Sequence, residues 1–478
     1  MPPVFNRRPR SNVIGKMSLA RWAVPRRFSL WQNLTAPQLF VLSFLMLVVL
    51  GAAGLRYLPG LYTNERLGWT DAFFTSASAV CVTGLVVEDT ATYFTFYGQL
   101  FILLLIQVGG LGMITFTSLI IVALGRRLSL RQEALSTGTT EVAPHVAPVH
   151  LLRDVILFTF AFEAIGALLL YALWVPRFGW AGALWPAVFH SISAFCNAGF
   201  STFSDSLVSA HGNPLVLAVI MLLIVIGGIG FLTLEELYLL HMAHRRNQRF
   251  RLSLHSRIVL VVTAVLIFVP WGVFFFLERH GTLAGMGAID AAVNALFMSV
   301  TARTAGFNTI NYGEASVGGN FLTILLMSIG GSPGSTAGGM KTTTVALIGL
   351  VAWSRFRGEE VTSLGGRSVP EETIQRAIGL FVVVFGVTTA GILLLATVET
   401  QAGRPKDFLR YMFEVVSAFN TVGLSMGATP DLTLPSRLLG IFLMFTGRVG
   451  PLVLAAALIM RRGFSGRFRY AYEDVVVG

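Results

Sequence analysis

Four short stretches of this chain could hold a metal cation without any charged ligand. The clearest reads Thr304-Ala305-Gly306-Phe307-Asn308. The others are Val82-Thr83-Gly84-Leu85-Val86, Asn197-Ala198-Gly199-Phe200-Ser201 and Thr421-Val422-Gly423-Leu424-Ser425. Their central glycines stand 115, 107 and 117 residues apart. Glycine permits positive φ and close backbone approach, so successive carbonyls can point at a common centre. Rings of such carbonyls replace the hydration shell of an alkali cation. The expected ion-binding groups are therefore Val82, Thr83 and Gly84, then Asn197, Ala198 and Gly199, then Thr304, Ala305 and Gly306, and finally Thr421, Val422 and Gly423. Any one of these glycines alone reads as a hinge or packing glycine of a membrane helix. Four at near-constant spacing read as the wall of a pore built from internal repeats.

Such loops need a scaffold that shields them from lipid. Of the 478 residues, 54% are hydrophobic and only 12% charged, with mean hydropathy +0.71. A soluble protein carries roughly 25% charged residues. Charge-free runs such as Thr90–Gly125 and Gly212–Leu234 exceed the ~20 residues that cross hydrocarbon as helix. The chain is a polytopic membrane protein.

The net charge of +11 would suit nucleic acid, but its distribution does not. The basic residues fall into blocks around Arg7–Arg27, Arg126–Arg153, Arg245–Arg257, Arg355–Arg376 and Arg461–Arg469. The positive-inside rule makes all five blocks cytoplasmic, both termini included, so an even number of spans separates neighbouring blocks. The basic start lacks a short apolar run with a small-residue cleavage site, so no removable signal peptide is expected.

This divides the chain into a basic tail (1–33), four repeats (34–125, 150–243, 255–354 and 372–461) and a C-terminal tail (462–478). Each repeat holds a span, a short apolar segment, a tip glycine and a second span. The first spans are Leu34–Leu55, Val155–Val175, Ile258–Leu277 and Ala377–Val398, and the second spans are Tyr93–Leu124, Leu215–Ala243, Asn320–Trp353 and Leu438–Met460. The short segments are Asp71–Val80, Leu184–Phe195, Ile289–Ala302 and Phe408–Phe419, too short to span and suited to re-entrant helices. Their partly negative C-terminal ends would favour a cation in the cavity below. The expected fold is all-α, with eight spans and four re-entrant pore helices in four parallel repeats around a central pore.

A second feature recurs 24 to 31 residues after each tip glycine: Gly109, Gly110 and Gly112; Gly227, Gly228 and Gly230; Gly330, Gly331 and Gly334; Gly447 and Gly450. Such clusters allow bends or close helix contact. In the third repeat the cluster swells into Gly330-Gly331-Ser332-Pro333-Gly334-Ser335-Thr336-Ala337-Gly338-Gly339. Gly and Pro at this density break a helix, so one broken span is expected, here. A segment with few side chains to lock it can move cheaply, and a movable segment in a pore is a gate. Arg448, at the depth of this segment, is by default a functional residue, the alternative being a structural ion pair with Glu163 or another acid. Lys341, which follows the segment, either joins the gate or snorkels. Arg303 is expected to brace the third tip loop. His190 and Glu414, each nine residues before a tip glycine, read as satisfied packing residues rather than ligands, and Cys81 and Cys196 as small buried residues, with a disulfide the lesser alternative.

These motifs, with the run continuing to Met340-Lys341-Thr342-Thr343-Thr344, resemble the Trk/Ktr/HKT superfamily of potassium transporters, built from four fused membrane–pore–membrane units. The likeness covers roughly residues 35–478 and is greatest to membrane subunits of the KtrB type, including the short hydrophobic ending Val475-Val476-Val477-Gly478. Val86, Leu85 and Leu424 depart from the family pattern without removing a tip glycine. The resemblance implies potassium in the filter, with sodium as a possible activating ion, and Arg448 as a barrier just below it. It also implies a homodimer in the plasma membrane, resting on a separately encoded cytosolic ring of RCK nucleotide-binding subunits. No G-x-G-x-x-G follows a strand here, and no nucleic acid is expected. Two other classes make different demands on a sequence. A secondary transporter for another solute favours broken helices around a midplane pocket, and an intramembrane enzyme needs clustered His, Asp or Glu. Neither pattern dominates this sequence, while a sodium-permeable transporter of the same fold stays open.

Overall fold

The computed structural model describes residues 35–133 and 148–459, except 249, 360, 365–366 and 405–406. The two terminal tails, with their basic blocks and the Val475–Gly478 ending, lie outside them. The first repeat begins with α1 (Ala36–Tyr57), continues through a short helix α2 (Trp69–Val80), and ends with α3 (Phe96–Glu133). In the second, α4 (Pro148–Cys196) is two helices joined at Gly179, whose φ of 71° is not helical. Its second half is the second short helix. α5 (Pro214–Ile229) and α6 (Phe231–Arg245) follow. The third repeat comprises α7 (Leu254–Glu278), α8 (Ala288–Thr301), α9 (Val317–Met327) and α10 (Thr342–Phe356). After a two-stranded hairpin, β1 (Ser363–Leu364) with β2 (Arg367–Ser368), come α11 (Glu371–Gln401), α12 (Phe408–Phe419), α13 (Leu434–Val449) and α14 (Pro451–Ile459).

The short helices α2, α8 and α12 have 12, 14 and 12 residues. At 1.5 Å per residue each reaches only about 20 Å, short of a ~30 Å hydrocarbon layer. They are re-entrant, as their sequence lengths predict. Each packs on the second span of the preceding repeat: α2 on α13, α4 on α3, α8 on α5 and α12 on α9. The four repeats thus close into a ring. Asp71 at the start of α2 and Arg437 of α13, 2.5 Å apart, tie the first repeat to the fourth. The surface is apolar, with Leu168, Phe276 and Leu393 all exposed, while hydroxyls such as Ser76, Ser78, Ser191, Ser193, Ser299 and Ser417 are buried. That inversion suits a chain whose outer solvent is lipid.

One expectation needs correction. Breaks occur not in one second span but in three. α5 and α6 meet at 102° across Gly230 (φ 96°), and α13 and α14 meet at 92° across Gly450 (φ 91°). A positive φ ends an α-helix, and at the second junction Pro451 then starts the next one without needing an N–H partner. The recurring glycine clusters are therefore break points in repeats two, three and four. Helix α3 carries its cluster without a break.

Gly109, Gly227 and Gly447 do something else. A Cβ at each would strike the carbonyl oxygen of Val80, Phe195 and Phe419 respectively, always the residue four before the tip glycine. Their missing side chains let the end of the short helix lie on the second span. Gly227→Ala or Gly447→Ala should cost the roughly 1–3 kcal/mol of overpacking against an unyielding neighbour. Gly349→Ala, on a helix face with open space, should be neutral or stabilising. Thermal melting in detergent checks this: the first two should melt several degrees lower and the third should not.

Candidate functional site

The site grows from four turns of the same unusual shape. The φ values are 56° at Val82 and 95° at Gly84, 58° at Asn197 and 70° at Gly199, 68° at Thr304 and 79° at Gly306, 51° at Thr421 and 94° at Gly423. Each turn thus alternates a left-handed residue, an ordinary one and a left-handed glycine, which points successive carbonyls to one side. Positive φ is uncommon for any side chain and an outlier for β-branched Val82, Thr304 and Thr421. Strain of that kind persists only where surrounding structure holds it.

Buried hydroxyls hold it. The Gly84 and Gly423 amides donate to Ser78 and Ser417 Oγ at 3.1 and 3.0 Å, while Ser193 Oγ donates to the Phe200 carbonyl at 2.7 Å. All three serines stand six residues before a tip glycine. In the third repeat Thr301, five before its glycine, donates to the Phe307 carbonyl at 2.5 Å.

The four turns meet. A Cβ on Gly84 would strike the carbonyl oxygen of Ala198, and one on Gly199 would come within 2.9 Å of that of Ala305. A Cβ on Gly306 would strike that of Val422, and one on Gly423 that of Thr83. The order runs once round the ring and closes. The tip glycines and the residues just before them form this ring, and Val82, Asn197, Thr304 and Thr421 are the left-handed residues that precede them. No donor among the described residues reaches the carbonyls of Thr83, Ala198, Ala305 or Val422, leaving them free for a cation. On one side the ring opens into a cavity of about 460 Å³, lined also by Asp89, Ser201, Asp205, Asn308 and Ser425.

On the other side sits the third-repeat segment between α9 and α10. Gly330 N donates to Met340 O at 2.8 Å and Thr342 N to Gly331 O at 3.1 Å, closing its neck. Within it, Ser335 Oγ donates to Ser332 O at 2.6 Å. The Phe231 amide takes Gly334 O at 2.9 Å, and a Cβ on Gly230 would meet Pro333 O. Asn197 Nδ2 donates to Thr336 Oγ1 at 2.8 Å, a Cβ on Gly338 would meet Thr421 Oγ1, and one on Gly339 would lie 2.9 Å from Asn420 Oδ1. The segment therefore touches the tip loops of repeats two and four directly. Lys341 Nζ donates to Ala337 O at 2.7 Å, so it folds back on the segment instead of snorkelling outward.

Arg448, 1% exposed, donates to the Thr336 carbonyl and, at 3.4 Å, to that of Gly109. It joins repeats four, three and one. The alternative ion pair does not form: Glu163 instead accepts from Gln107 Nε2 at 3.0 Å. Arg303 also departs from expectation, reaching 3.5 Å to Thr263 on α7 behind the short helix and not to the tip loop. Cys81 and Cys196 are buried free thiols. His190 and Glu414 are buried and satisfied, as expected: His190 Nε2 lies 2.9 Å from Ser201 Oγ, and Glu414 accepts from Ser425 Oγ at 2.5 Å. Sequence reasoning did not name the partners of these two, nor the hydroxyls of Ser78, Ser193 and Ser417, whose signal was a constant offset of six residues from the tip glycine, nor Thr301, which stands five before its own. No group of three His, Cys, Asp or Glu able to hold a metal occurs among the described residues.

A ring of repeats enclosing four converging backbone turns defines a polytopic membrane protein of the pore-loop class. The chain belongs to the TrkH family of cation transport proteins, whose sequence model matches residues 44–467. It is 39% identical over 451 residues to Ktr system potassium uptake protein B of Bacillus subtilis (strain 168), covering 94% of this chain and 98% of that one. It is 35% identical to potassium/sodium uptake protein NtpJ of Enterococcus hirae, with the same coverage. The crystal structure of the potassium transporter TrkH from Vibrio parahaemolyticus superposes with TM-score 0.69 and 21% identity, over 92% of this chain and 88% of that one.

Proposed function

We propose that this chain takes up potassium across the plasma membrane, with both termini in the cytoplasm, and that the four converging turns are its selectivity filter. The observation that carries this reading is the closed cycle of Thr83, Ala198, Ala305 and Val422 carbonyls against glycines of the next repeat. Backbone at membrane depth must be satisfied by protein or water, and no donor among the described residues reaches these carbonyls. A dehydrated potassium ion supplies what they lack. It is the substrate here, with sodium a candidate activating ion, and no catalytic residue is required. The names of the relatives support potassium. The potassium/sodium name of the relative from Enterococcus hirae favours, as a second reading, a cation transporter of this fold that also passes sodium.

The segment from Gly330 to Gly339 is the gate in this reading. It fills the space beneath the filter, held by Arg448, Lys341 and backbone bonds to Gly227 and Gly228. Arg448 adds positive charge that opposes a cation while the segment is in place. A cytosolic RCK ring would bias its open and closed arrangements, since a ligand shifts only states that it binds differently. The four repeats form one pore per chain, and two chains form a homodimer.

Three outcomes test this. Gly306→Ser, at normal expression, should reduce the preference for potassium over sodium by about tenfold, equivalent to about 1.4 kcal/mol. Unchanged competition between the two ions at all four glycines would remove the filter. Deleting Ser332–Thr336 should raise potassium flux into liposomes containing the purified subunit, and Arg448→Ala should do so to a smaller degree. A deletion that inserts normally and conducts no faster rules out the gate. Mass measurement in mild detergent should read two chains, and monomer alone would refute the dimer.

A further inference from the structure

Two buried polar side chains remain without a role in the pathway, and the bonds they make are the same. Ser201 and Ser425 each stand two residues after a tip glycine and line the outer cavity. Each accepts a backbone N–H from two residues further on, Phe203 at 2.9 Å and Gly427 at 2.8 Å. Each also faces an acceptor nine residues before its glycine: Nε2 of His190 at 2.9 Å and Oε1 of Glu414 at 2.5 Å. His190 Nδ1 lies 2.8 Å from the Pro186 carbonyl, which can only accept, so Nδ1 carries the proton and Nε2 of the neutral ring accepts. The Ser201 hydroxyl has a second, longer option in the Ser206 carbonyl at 3.1 Å. Glu414 receives three more donors, from the Met426 and Ala428 amides at 3.2 and 3.3 Å and from Thr429 Oγ1 at 2.6 Å.

The other two repeats lack this latch. Val86 has no hydroxyl, and the residue nine before its glycine is Thr75. Asn308 faces no polar group at that offset, where Phe297 stands, and its amide instead takes Ser206 Oγ at 3.2 Å. In the ring order of the tip glycines, the second and fourth repeats stand opposite each other. All four turns are tied to their own short helices through Ser78, Ser193, Thr301 and Ser417, but the outer rim, two residues after each tip glycine, carries this second tie across one diagonal and not across the other.

We propose that His190 and Glu414 are positioning residues for ion selection, pinning Ser201 and Ser425 so that the rim keeps the width of dehydrated potassium. Sodium is smaller and needs carbonyls drawn further inward, which two pinned corners resist. This rests on the filter reading above.

The test measures how much potassium or sodium competes with rubidium uptake into liposomes, a ratio that does not depend on how much protein folds. Glu414→Leu, His190→Leu, Ser425→Ala and Ser201→Ala should each lower the potassium preference by roughly two- to tenfold, the range spanned by one lost hydrogen bond. Glu414→Leu combined with Ser425→Ala should be no worse than either alone. Glu414→Gln and His190→Gln keep an acceptor and should stay within about twofold of the parent. The serine variants lose one oxygen each, so they decide the matter if a leucine variant does not fold. Parental ratios in both serine variants overturn the inference, and so does a glutamine variant as unselective as its leucine counterpart. Gly306→Ser separates the two levels: if it loses selectivity while the serine variants keep theirs, the latch fails and the filter stands. If Ser variants of all four tip glycines keep selectivity too, both fall.

Discussion

Everything in this structure depends on four backbone turns that meet at the carbonyls of Thr83, Ala198, Ala305 and Val422, which no donor among the described residues reaches. At membrane depth an unsatisfied carbonyl is costly, and a turn with positive φ at two residues adds strain of about 1–3 kcal/mol at each non-glycine position. The fold surrounds these turns with compensating bonds. Buried hydroxyls hold the strained amides and carbonyls, short helices end just before them, and glycines on the second spans let those helices sit close. The remaining free valence, the ring of carbonyls, is the part that a cation can use.

The same constraint explains the space beneath. A long segment rich in Gly, Pro and Ser cannot lie against lipid, and here its backbone is bonded to the second repeat at Ser332, Gly334 and Thr336 and closed on itself at its neck. Arg448 spends its donors on two carbonyls, and no carboxylate of the described residues pairs with it. Its charge is therefore not cancelled by an ion pair, consistent with a barrier that acts on cations. An arginine in an ion pair with Glu163 would have lost that property.

Much of this was legible in the sequence because the chain repeats itself. One glycine-tipped turn carries little information, but four at similar spacing expose the re-entrant helices and the residues of the ring. The tip glycines, the short helices and the broken third span follow from backbone chemistry alone. The bends at Gly230 and Gly450 were not legible, since a glycine pair in a span serves equally for packing, as Gly227 and Gly447 do. Arg303 was misread because its partner, Thr263, lies on another element at a distance along the chain that no local pattern encodes. His190 and Glu414 were legible as satisfied residues, but the serine eleven residues further on that each one meets was not.

The central claim is that a dehydrated alkali cation sits between the carbonyls of Thr83, Ala198, Ala305 and Val422. Anomalous scattering from crystals grown with thallium, a potassium mimic, tests it most directly. The account predicts a peak on the axis of the ring, in contact with all four carbonyls and weakened when sodium replaces potassium in the crystal. A transport-competent crystal with no thallium peak between those carbonyls, or with its peak bound only by side chains elsewhere, would contradict it.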